Sequence, residues 1–148
     1  MPFHHVPATR DTRAQAEARI LELVSGTTDL LVLARYMQVL TGDFLRAYGR
    51  DVVNIHHSFL PSFKGARPYE QAWERGVKVI GATAHFVSED LDEGPIIEQQ
   101  VQRISHRDDP EALKRKGRAL EQGALAAALE ACARHRVFRH GIRTIVFD

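Results

Sequence analysis

The chain has 148 residues, of which 44% are hydrophobic and 26% charged, proportions that suit one globular domain with a single core. Its 20 Lys and Arg residues nearly balance its 19 Asp and Glu residues, so no nucleic acid is expected as a partner. The apolar runs are far shorter than the roughly 20 residues that a membrane-spanning helix needs, so no membrane partner is expected either.

The first 25 residues predict the end of a strand followed by a helix. Residues 1–5 lack the basic stretch and apolar core of a signal peptide. His4–Val6 has the pattern of the last residues of a strand. Residues 12–25 then repeat apolar side chains at helical spacing, and Gly26 is a typical helix stop.

Short apolar runs in the middle of the chain predict four strands. They are Leu30–Ala34, Val52–His56, Val79–Val87 and Pro95–Val101. The first two runs are continuously apolar rather than alternating, which is typical of strands that are buried on both faces of a parallel sheet. A fifth run, Ile142–Phe147, predicts a final strand at the end of the chain.

Helical patterns lie between these strands. Thr41 can cap a short helix that ends at Gly49, and Pro68 can begin a helix over residues 68–75. Asp109 and Pro110 give a strong start signal for a helix over residues 110–135. Because strands and helices alternate, the sequence predicts an α/β protein with a mostly parallel sheet.

Cysteine usage gives an expectation about the compartment. The chain has a single cysteine, Cys132, within the apolar pattern of the last predicted helix, so no internal disulfide can form. Proteins of reducing compartments commonly lack disulfides, and we therefore expect a cytoplasmic location.

Polar residues stand within the second predicted strand. Asn54 and His56 are two positions apart, so both side chains point to the same side of the strand. An amide donor beside an imidazole can bind a carbonyl oxygen on which negative charge develops during a reaction. A second interpretation is that both residues only satisfy backbone groups at a polar strand end.

A second polar segment overlaps the end of the third predicted strand. It begins with His85 and continues through an acidic loop to the turn at residues 92–95, which contains Asp92 and Gly94. A carboxylate at this place could take a proton from water or hold an imidazole in its charged form. Alternatively, Asp92 only caps the turn, as Asp often does.

Both segments resemble the folate-dependent formyl-transfer enzymes. Residues 54–61 read Asn-x-His-x-Ser-x-Leu-Pro, and residues 85–94 read His-x(6)-Asp-x-Gly. The doubled histidine at positions 56 and 57 resembles the formyltetrahydrofolate deformylases in particular. So do the blocks at residues 33–41, 65–69, 74–85 and 136–138. The resemblance extends from Phe3 to Phe147.

The resemblance implies a role for each residue of the two motifs. Asn54 would donate a hydrogen bond to the formyl oxygen, and His56 would act as general acid or as a cation beside the same oxygen. Asp92 would keep His56 charged and would position or deprotonate the attacking water. His85 and Ser58 would support these groups, with His85 holding Asp92 or its loop.

The resemblance also implies a pocket for the folate ring. Its residues would be Tyr36, Met37, Gln38, Val39 and Leu40 on one side, and Phe86 and Val87 at the start of the other. Backbone groups of residues 36–40 would read the ring, while apolar side chains would wall it. An alternative interpretation treats Tyr36 and Met37 as ordinary core residues.

Compared with that family, the chain lacks two N-terminal segments. These are a regulatory domain of the ACT type and the opening β-α-β portion of the catalytic domain. Residues 1–148 are therefore interpreted as the C-terminal part of a formyltransferase-type catalytic domain. Since the opening portion would supply central strands, its absence would leave strand edges and apolar faces open, and we expect a homo-oligomer that covers them.

The fold expected from the resemblance is a Rossmann-like formyltransferase fold, apparently truncated at its N-terminus, with a mostly parallel sheet and helices on both faces. The expected reaction is hydrolysis of 10-formyltetrahydrofolate to tetrahydrofolate and formate, which would supply formate for purine biosynthesis and balance one-carbon pools. No metal and no cofactor beyond the folate substrate are expected. The alternatives are formyl transfer to an amine, as in glycinamide ribonucleotide transformylase, an inactive folate-binding fragment, and a metal site of His56, His57 and His85.

Overall fold

A mixed four-stranded sheet organises the part of the chain that the computed structural model describes, which comprises residues 2–9, 11–60 and 67–148. The strands follow one another in space as they do in the chain: β1 (Leu30–Leu33), β2 (Asp51–His56), β3 (Val79–Phe86) and β4 (Ile96–Arg103). β1 and β2 run parallel, whereas β3 is antiparallel to both of its neighbours. All four strands were predicted, with ends that differ by one or two residues.

The predicted α/β class is confirmed, but the predicted predominance of parallel pairing is wrong. Two of the three pairings in this sheet are antiparallel. The connection from β3 to β4 covers only residues 87–95. A parallel pair needs a crossover of about a dozen residues or more, so a connection this short forces the chain to return antiparallel.

In the described ranges, the helices that accompany the sheet are α1 (Arg13–Val24), α2 (Gly42–Tyr48), α3 (Pro68–Arg75) and α4 (Pro110–Ala133). The Thr41 side chain caps α2 by accepting a hydrogen bond from the backbone N–H of Phe44 at 3.1 Å. Asp109 caps α4 in the same way through the N–H of Ala112 at 2.7 Å. The helix starts predicted from these two caps are confirmed. Among the helices described, none is both long and apolar enough to cross a membrane.

Helices cover both faces of the sheet, as the sequence predicted. Val52 packs with Leu33 and Phe44 in a core that α1 and α2 close. Val53 points to the opposite face and packs with Ala84 and with Ala128 of α4. Because side chains alternate along a strand, Asn54 and His56 lie on the face of Val52, the face of α1 and α2.

The end of the chain forms a separate hairpin of β5 (Val137–His140) and β6 (Arg143–Val146). The predicted final strand is therefore confirmed, but its pairing with β5 was not foreseen, because β5 is short and contains Arg and His. The hairpin docks on the sheet through the Arg139 guanidinium, which lies 3.8 Å from the centre of the Phe86 ring. The Thr144 hydroxyl also donates a hydrogen bond to the carbonyl of Ile96.

The strand predicted at His4–Val6 is wrong, since residues 2–9 contain no strand. This segment lies between Pro2 and Pro7, which lack the backbone N–H that a strand ladder uses. Most of its side chains are exposed, so no burial compensates for that loss.

The contact between α4 and the sheet can be tested with a pair of matched substitutions. Ala128 is fully buried against the sheet, whereas Ala126 is exposed on the same helix. Ala128→Leu should lower the free energy of unfolding by about 1–3 kcal/mol, because the core has no room for the larger side chain. Ala126→Leu should change it by less than about 0.5 kcal/mol. Urea denaturation measures both, and equal effects would contradict the packing described.

Candidate active site

The pairing of β2 with β3 brings the first two polar residues of the site together. Asn54 on β2 lies directly opposite His85 on β3. The Asn54 Nδ2 atom lies 3.3 Å from His85 Nε2, within hydrogen-bonding distance. The His85 ring is fully buried, and its Nδ1 atom lies 2.8 Å from the backbone carbonyl oxygen of Phe86.

These contacts determine how the hydrogen atoms on Asn54 and His85 are arranged. A carbonyl oxygen only accepts hydrogen bonds, so His85 Nδ1 carries the proton that points at Phe86. In the neutral ring Nε2 is then an acceptor, and one N–H of the Asn54 amide donates to it. Asn54 also lines a large cavity, so the second N–H of that amide can donate to a ligand there.

The turn after β3 adds a carboxylate to this pair. Asp92 Oδ2 lies 3.2 Å from Nδ1 of His56, and Asp92 Oδ1 lies 3.7 Å from Nε2 of His85. The His56 and Asp92 side chains are 6% and 10% exposed. A charged imidazole is stabilised by a carboxylate at this distance, and little solvent is present to weaken the attraction.

Gly94 explains why the turn can approach β3 so closely. A β-carbon at position 94 would lie 1.7 Å from the carbonyl oxygen of Phe86, so only glycine fits. The N–H of Phe86 also donates to the carbonyl of Pro95 at 2.9 Å. Asp92 itself has a φ of 58°, a left-handed conformation that costs a non-glycine residue about 1 kcal/mol or more. The close contact at Gly94 holds the Asp92 carboxylate beside both histidines despite that cost.

A cavity of about 730 Å³ opens beside these residues. The catalytic candidates Asn54, His56 and Asp92 line it, together with His85. The predicted folate contacts that line it are Tyr36, Met37, Gln38, Val39, Leu40 and Val87. Leu33 and Leu91 extend this apolar side. The structure thus brings residues of both sequence motifs and the segment at residues 36–40 to one cavity.

Two residues predicted for the site do not line this cavity. Phe86 does not line the cavity, because its side chain points to the other face of the sheet, where it packs with Val53 and under Arg139. The Phe86 side chain therefore does not wall this cavity, and the predicted part of Phe86 in folate binding stays a prediction. Ser58 lines a separate small cavity, and its backbone carbonyl accepts a hydrogen bond from the Thr83 hydroxyl at 3.0 Å. The motif residue Pro61 lies outside the described residues.

Sequence reasoning missed a charged side of the same cavity. Its lining residues are Arg35, His57, Arg67, Tyr69, Glu70, Lys114, Arg118 and Glu121. The sequence of α4 did indicate part of this side, because charged residues at the i, i+4, i+7 spacing of one helix face occupy positions 114, 118 and 121. No such pattern indicated Tyr69 and Arg35, because only tertiary contacts bring them to the cavity.

Sequence reasoning also missed Glu17, a buried carboxylate that anchors the apolar side. Glu17 Oε1 accepts hydrogen bonds from the N–H of Thr41 at 3.1 Å and from Arg13 Nε at 3.3 Å. Glu17 Oε2 accepts one from the Thr41 hydroxyl. Arg13 in turn donates to the carbonyl of Val39. Burial, and next the Glu17 carboxylate, raise the pKa of the Tyr36 hydroxyl. Glu17 therefore ties the segment at residues 36–41 to α1.

No metal site accompanies these groups in the part of the chain that is described. Across residues 2–9, 11–60 and 67–148, no group of three or more His, Cys, Asp or Glu side chains is arranged to hold a metal ion. His57, which the alternative metal site would need, packs instead against other rings. Its ring centre lies 5.1 Å from that of His56 and 6.4 Å from that of Tyr69.

An amide, two imidazoles and a carboxylate meet beside the sheet of an α/β fold. Comparison with known proteins gives the family to which this arrangement belongs. The chain belongs to the formyl transferase family, whose sequence model matches residues 3–129. It is 54% identical over 149 aligned residues to a formyltetrahydrofolate deformylase of Bacillus subtilis (strain 168), covering 100% of this chain and 50% of that protein. The predicted resemblance is therefore confirmed.

Solved structures agree with this assignment. A formyltetrahydrofolate deformylase from Pseudomonas syringae pv. tomato str. DC3000 superposes with a TM-score of 0.94 at 52% identity, over 100% of this chain and 50% of that chain. Glycinamide ribonucleotide transformylase 1 from Symbiobacterium toebii gives a TM-score of 0.84 at 37% identity, over 92% and 65%. The formyltransferase fold is thus confirmed, and the chain spans about half the length of the deformylases it matches.

The role of Glu17 can be tested by removing its charge. In Glu17→Gln an amide replaces the carboxylate. Its NH2 group cannot accept a hydrogen bond, so one of the two acceptors for Thr41 is lost. We expect folate affinity to fall severalfold, with a smaller change in turnover, because the segment at residues 36–41 loses its anchor. Glu22→Gln on the same helix changes an exposed ion pair with Arg19 and is the matched control. Fluorescence titration with a folate measures both, and an equal affinity in the two variants would contradict the role of Glu17.

Proposed function

We propose that this chain carries the active site for hydrolysis of 10-formyltetrahydrofolate to tetrahydrofolate and formate. The observation that carries the proposal is the contact of Asp92 with His56, beside Asn54, in a cavity with one apolar side. The names of the deformylases that match this chain at 51–56% identity support the same reaction.

The proposed mechanism follows from the chemistry of these three side chains. The folate ring lies against residues 36–40 and Val87, which places the formyl group near β2. Asn54 and the charged His56 stabilise the oxygen of the formyl group as water attacks its carbon. Asp92 keeps His56 charged, and it positions the water and takes a proton from it. The bond between the formyl carbon and the folate nitrogen then breaks, the nitrogen takes a proton, and formate leaves.

Several wider statements belong to the same proposal. The reaction uses no cofactor beyond its folate substrate, and formate from it supplies purine biosynthesis in the cytoplasm. We also propose that the protein forms a homo-oligomer. Phe138 and Ile145 are paired on β5 and β6 and are both about half exposed, which supports an apolar contact surface on the hairpin.

Formyl transfer to an amine is the second candidate function. It is supported by the structural similarity to glycinamide ribonucleotide transformylase 1, but that similarity has a lower identity than the similarity to the deformylases. The two reactions differ only in the nucleophile that attacks the formyl carbon. Formate that accumulates from 10-formyltetrahydrofolate with no amine present would support hydrolysis. A formyl group that is released only when glycinamide ribonucleotide is added would favour transfer.

The roles of Asn54 and His56 predict a specific kinetic result. Because each donates to the charge that develops in the transition state, Asn54→Ala and His56→Ala should each reduce formate release about a hundredfold or more. Folate affinity should change far less. His106→Ala, which removes an exposed histidine outside the cavity, is the control and should keep full activity. Near-normal turnover in either of the first two variants would reject the proposed mechanism.

The proposed mechanism uses no metal ion, and this independence of metal can be tested. If an imidazolium and an amide supply the stabilisation, dialysis against EDTA should leave the rate of formate release unchanged. The rate is measured before dialysis, after dialysis, and after zinc is added back. A rate that falls on dialysis and returns with zinc would show that a metal takes part.

A further inference from the structure

The charged side of the cavity contains a group of three residues that contact one another. The hydroxyl of Tyr69 donates a hydrogen bond to Glu121 Oε1 at 2.8 Å. The Nη2 atom of Arg35 lies 3.7 Å from the other oxygen of this carboxylate, Oε2. We call Tyr69, Glu121 and Arg35 the acceptor-side group. It engages both oxygens of a carboxylate whose side chain is only 13% exposed.

The position of Tyr69 depends on a glycine in α4. A β-carbon at Gly117 would lie 2.0 Å from the Tyr69 hydroxyl oxygen, so the ring occupies space that any other residue would fill. Tyr69 is itself buried. Burial, and next the hydrogen bond to Glu121, raise the pKa of the Tyr69 hydroxyl, so the hydroxyl stays protonated and acts as the donor. Gly117 and Tyr69 together fix this donor against the Glu121 carboxylate.

Arg35 adopts a backbone conformation that normally favours glycine. Its φ is 56°, in the left-handed region that costs a residue with a β-carbon free energy. Glycine would adopt this conformation without strain. A strained arginine whose guanidinium lies beside a cavity carboxylate is typical of a side chain retained for its function.

The acceptor-side group lies close to the reaction centre. The His57 ring is placed between Tyr69 and His56, with ring centres 6.4 Å and 5.1 Å away. The five side chains that connect the acceptor-side group to the reaction centre all line the same cavity: Arg35, Glu121, Tyr69, His57 and His56. A nucleophile that reached the formyl carbon from this side would therefore pass the Glu121 carboxylate.

We propose that the acceptor-side group selects water as the nucleophile by keeping amines out of this side of the cavity. A free carboxylate on a cavity wall would hold an amine through charge-assisted hydrogen bonds. Tyr69 donates a hydrogen bond to Oε1 of Glu121, and Arg35 forms an ion pair with Oε2. These two contacts reduce the attraction of the Glu121 carboxylate for an amine. The Arg35 guanidinium also repels any amine that is protonated. Water needs neither contact and still reaches the formyl carbon.

This inference rests on the proposed hydrolysis and explains its specificity. In hydrolysis the water oxygen bonds to the formyl carbon, the bond to the folate nitrogen breaks, and that nitrogen takes a proton that water gives up. In transfer the amine nitrogen bonds to the same carbon and gives up the proton instead. Both reactions need Asn54, His56 and Asp92, so the acceptor-side group determines only which nucleophile is present.

The experiment combines two readouts on the same preparations. The variants are Tyr69→Phe, Arg35→Gly and the double variant, with Tyr48→Phe as the matched control. Tyr48 is a buried tyrosine whose hydroxyl bonds Thr28 at 3.0 Å, outside the cavity. Each protein receives 10-formyltetrahydrofolate and glycinamide, and both formate and N-formylglycinamide are measured. Saturation-transfer NMR measures the binding of glycinamide separately, without any need for turnover.

The native chain and Tyr48→Phe should give formate alone and no glycinamide binding. The double variant should bind glycinamide, because the Glu121 carboxylate then accepts a hydrogen bond from the amine instead of from Tyr69. A hydrogen bond to a charged group is strong enough to raise the share of N-formylglycinamide about tenfold or more. Arg35→Gly also removes backbone strain, so it gives a folded variant even if Tyr69→Phe is unstable. In Arg35→Gly the share of N-formylglycinamide should also rise.

The possible failures can be told apart. If the native chain releases formate, but the variants neither bind glycinamide nor formylate it, the inference is overturned and the hydrolytic function stands. Glycinamide binding by the native chain would overturn the inference as well. If no protein releases formate, the proposed function fails, and the binding measurement alone then decides whether the acceptor-side group excludes amines.

Discussion

The register between β2 and β3 is the constraint on which the site depends. It places Asn54 opposite His85, and it brings the end of β3 to the point where the Asp92 turn can fold back. A shift of one residue would turn Asn54 and His56 toward α4 and expose Val53 to the cavity face. The fully buried Val53 therefore maintains the candidate site as well as the core, because its burial fixes which side chains of β2 face the cavity.

Local signals predicted most of the elements of this fold. Thr41 and Asp109 marked two helix starts because their side chains cap the adjacent backbone, a contact within three residues. Strand directions were not predictable in this way, since the apolar run of β3 looks the same in a parallel and in an antiparallel sheet. The length of the segment between β3 and β4 did contain the answer, but only when it is compared with the minimum length of a crossover.

In the candidate site, too, residues in local motifs were predictable and contacts between distant parts of the chain were not. Asn54, His56, His85 and Asp92 stand in two short motifs, so the sequence alone could indicate them. Phe86 lies between His85 and Val87, which do line the cavity, but alternation along the strand turns the Phe86 side chain to the other face of the sheet. The contacts between Glu17 and Thr41 and between Tyr69 and Glu121 join residues 24 and 52 positions apart. No local pattern predicts contacts of that range.

The two walls of the cavity come from different parts of the chain. Glu17 on α1 secures the apolar wall, and Tyr69 on α3 and Glu121 on α4 form the charged wall. The reacting side chains stand between them on β2 and in the turn after β3. Substitutions that accumulate in α3 and α4 can therefore alter the charged wall while leaving α1 and the apolar wall intact. A cavity built in this way gives evolution two separate surfaces to vary around one set of polar side chains.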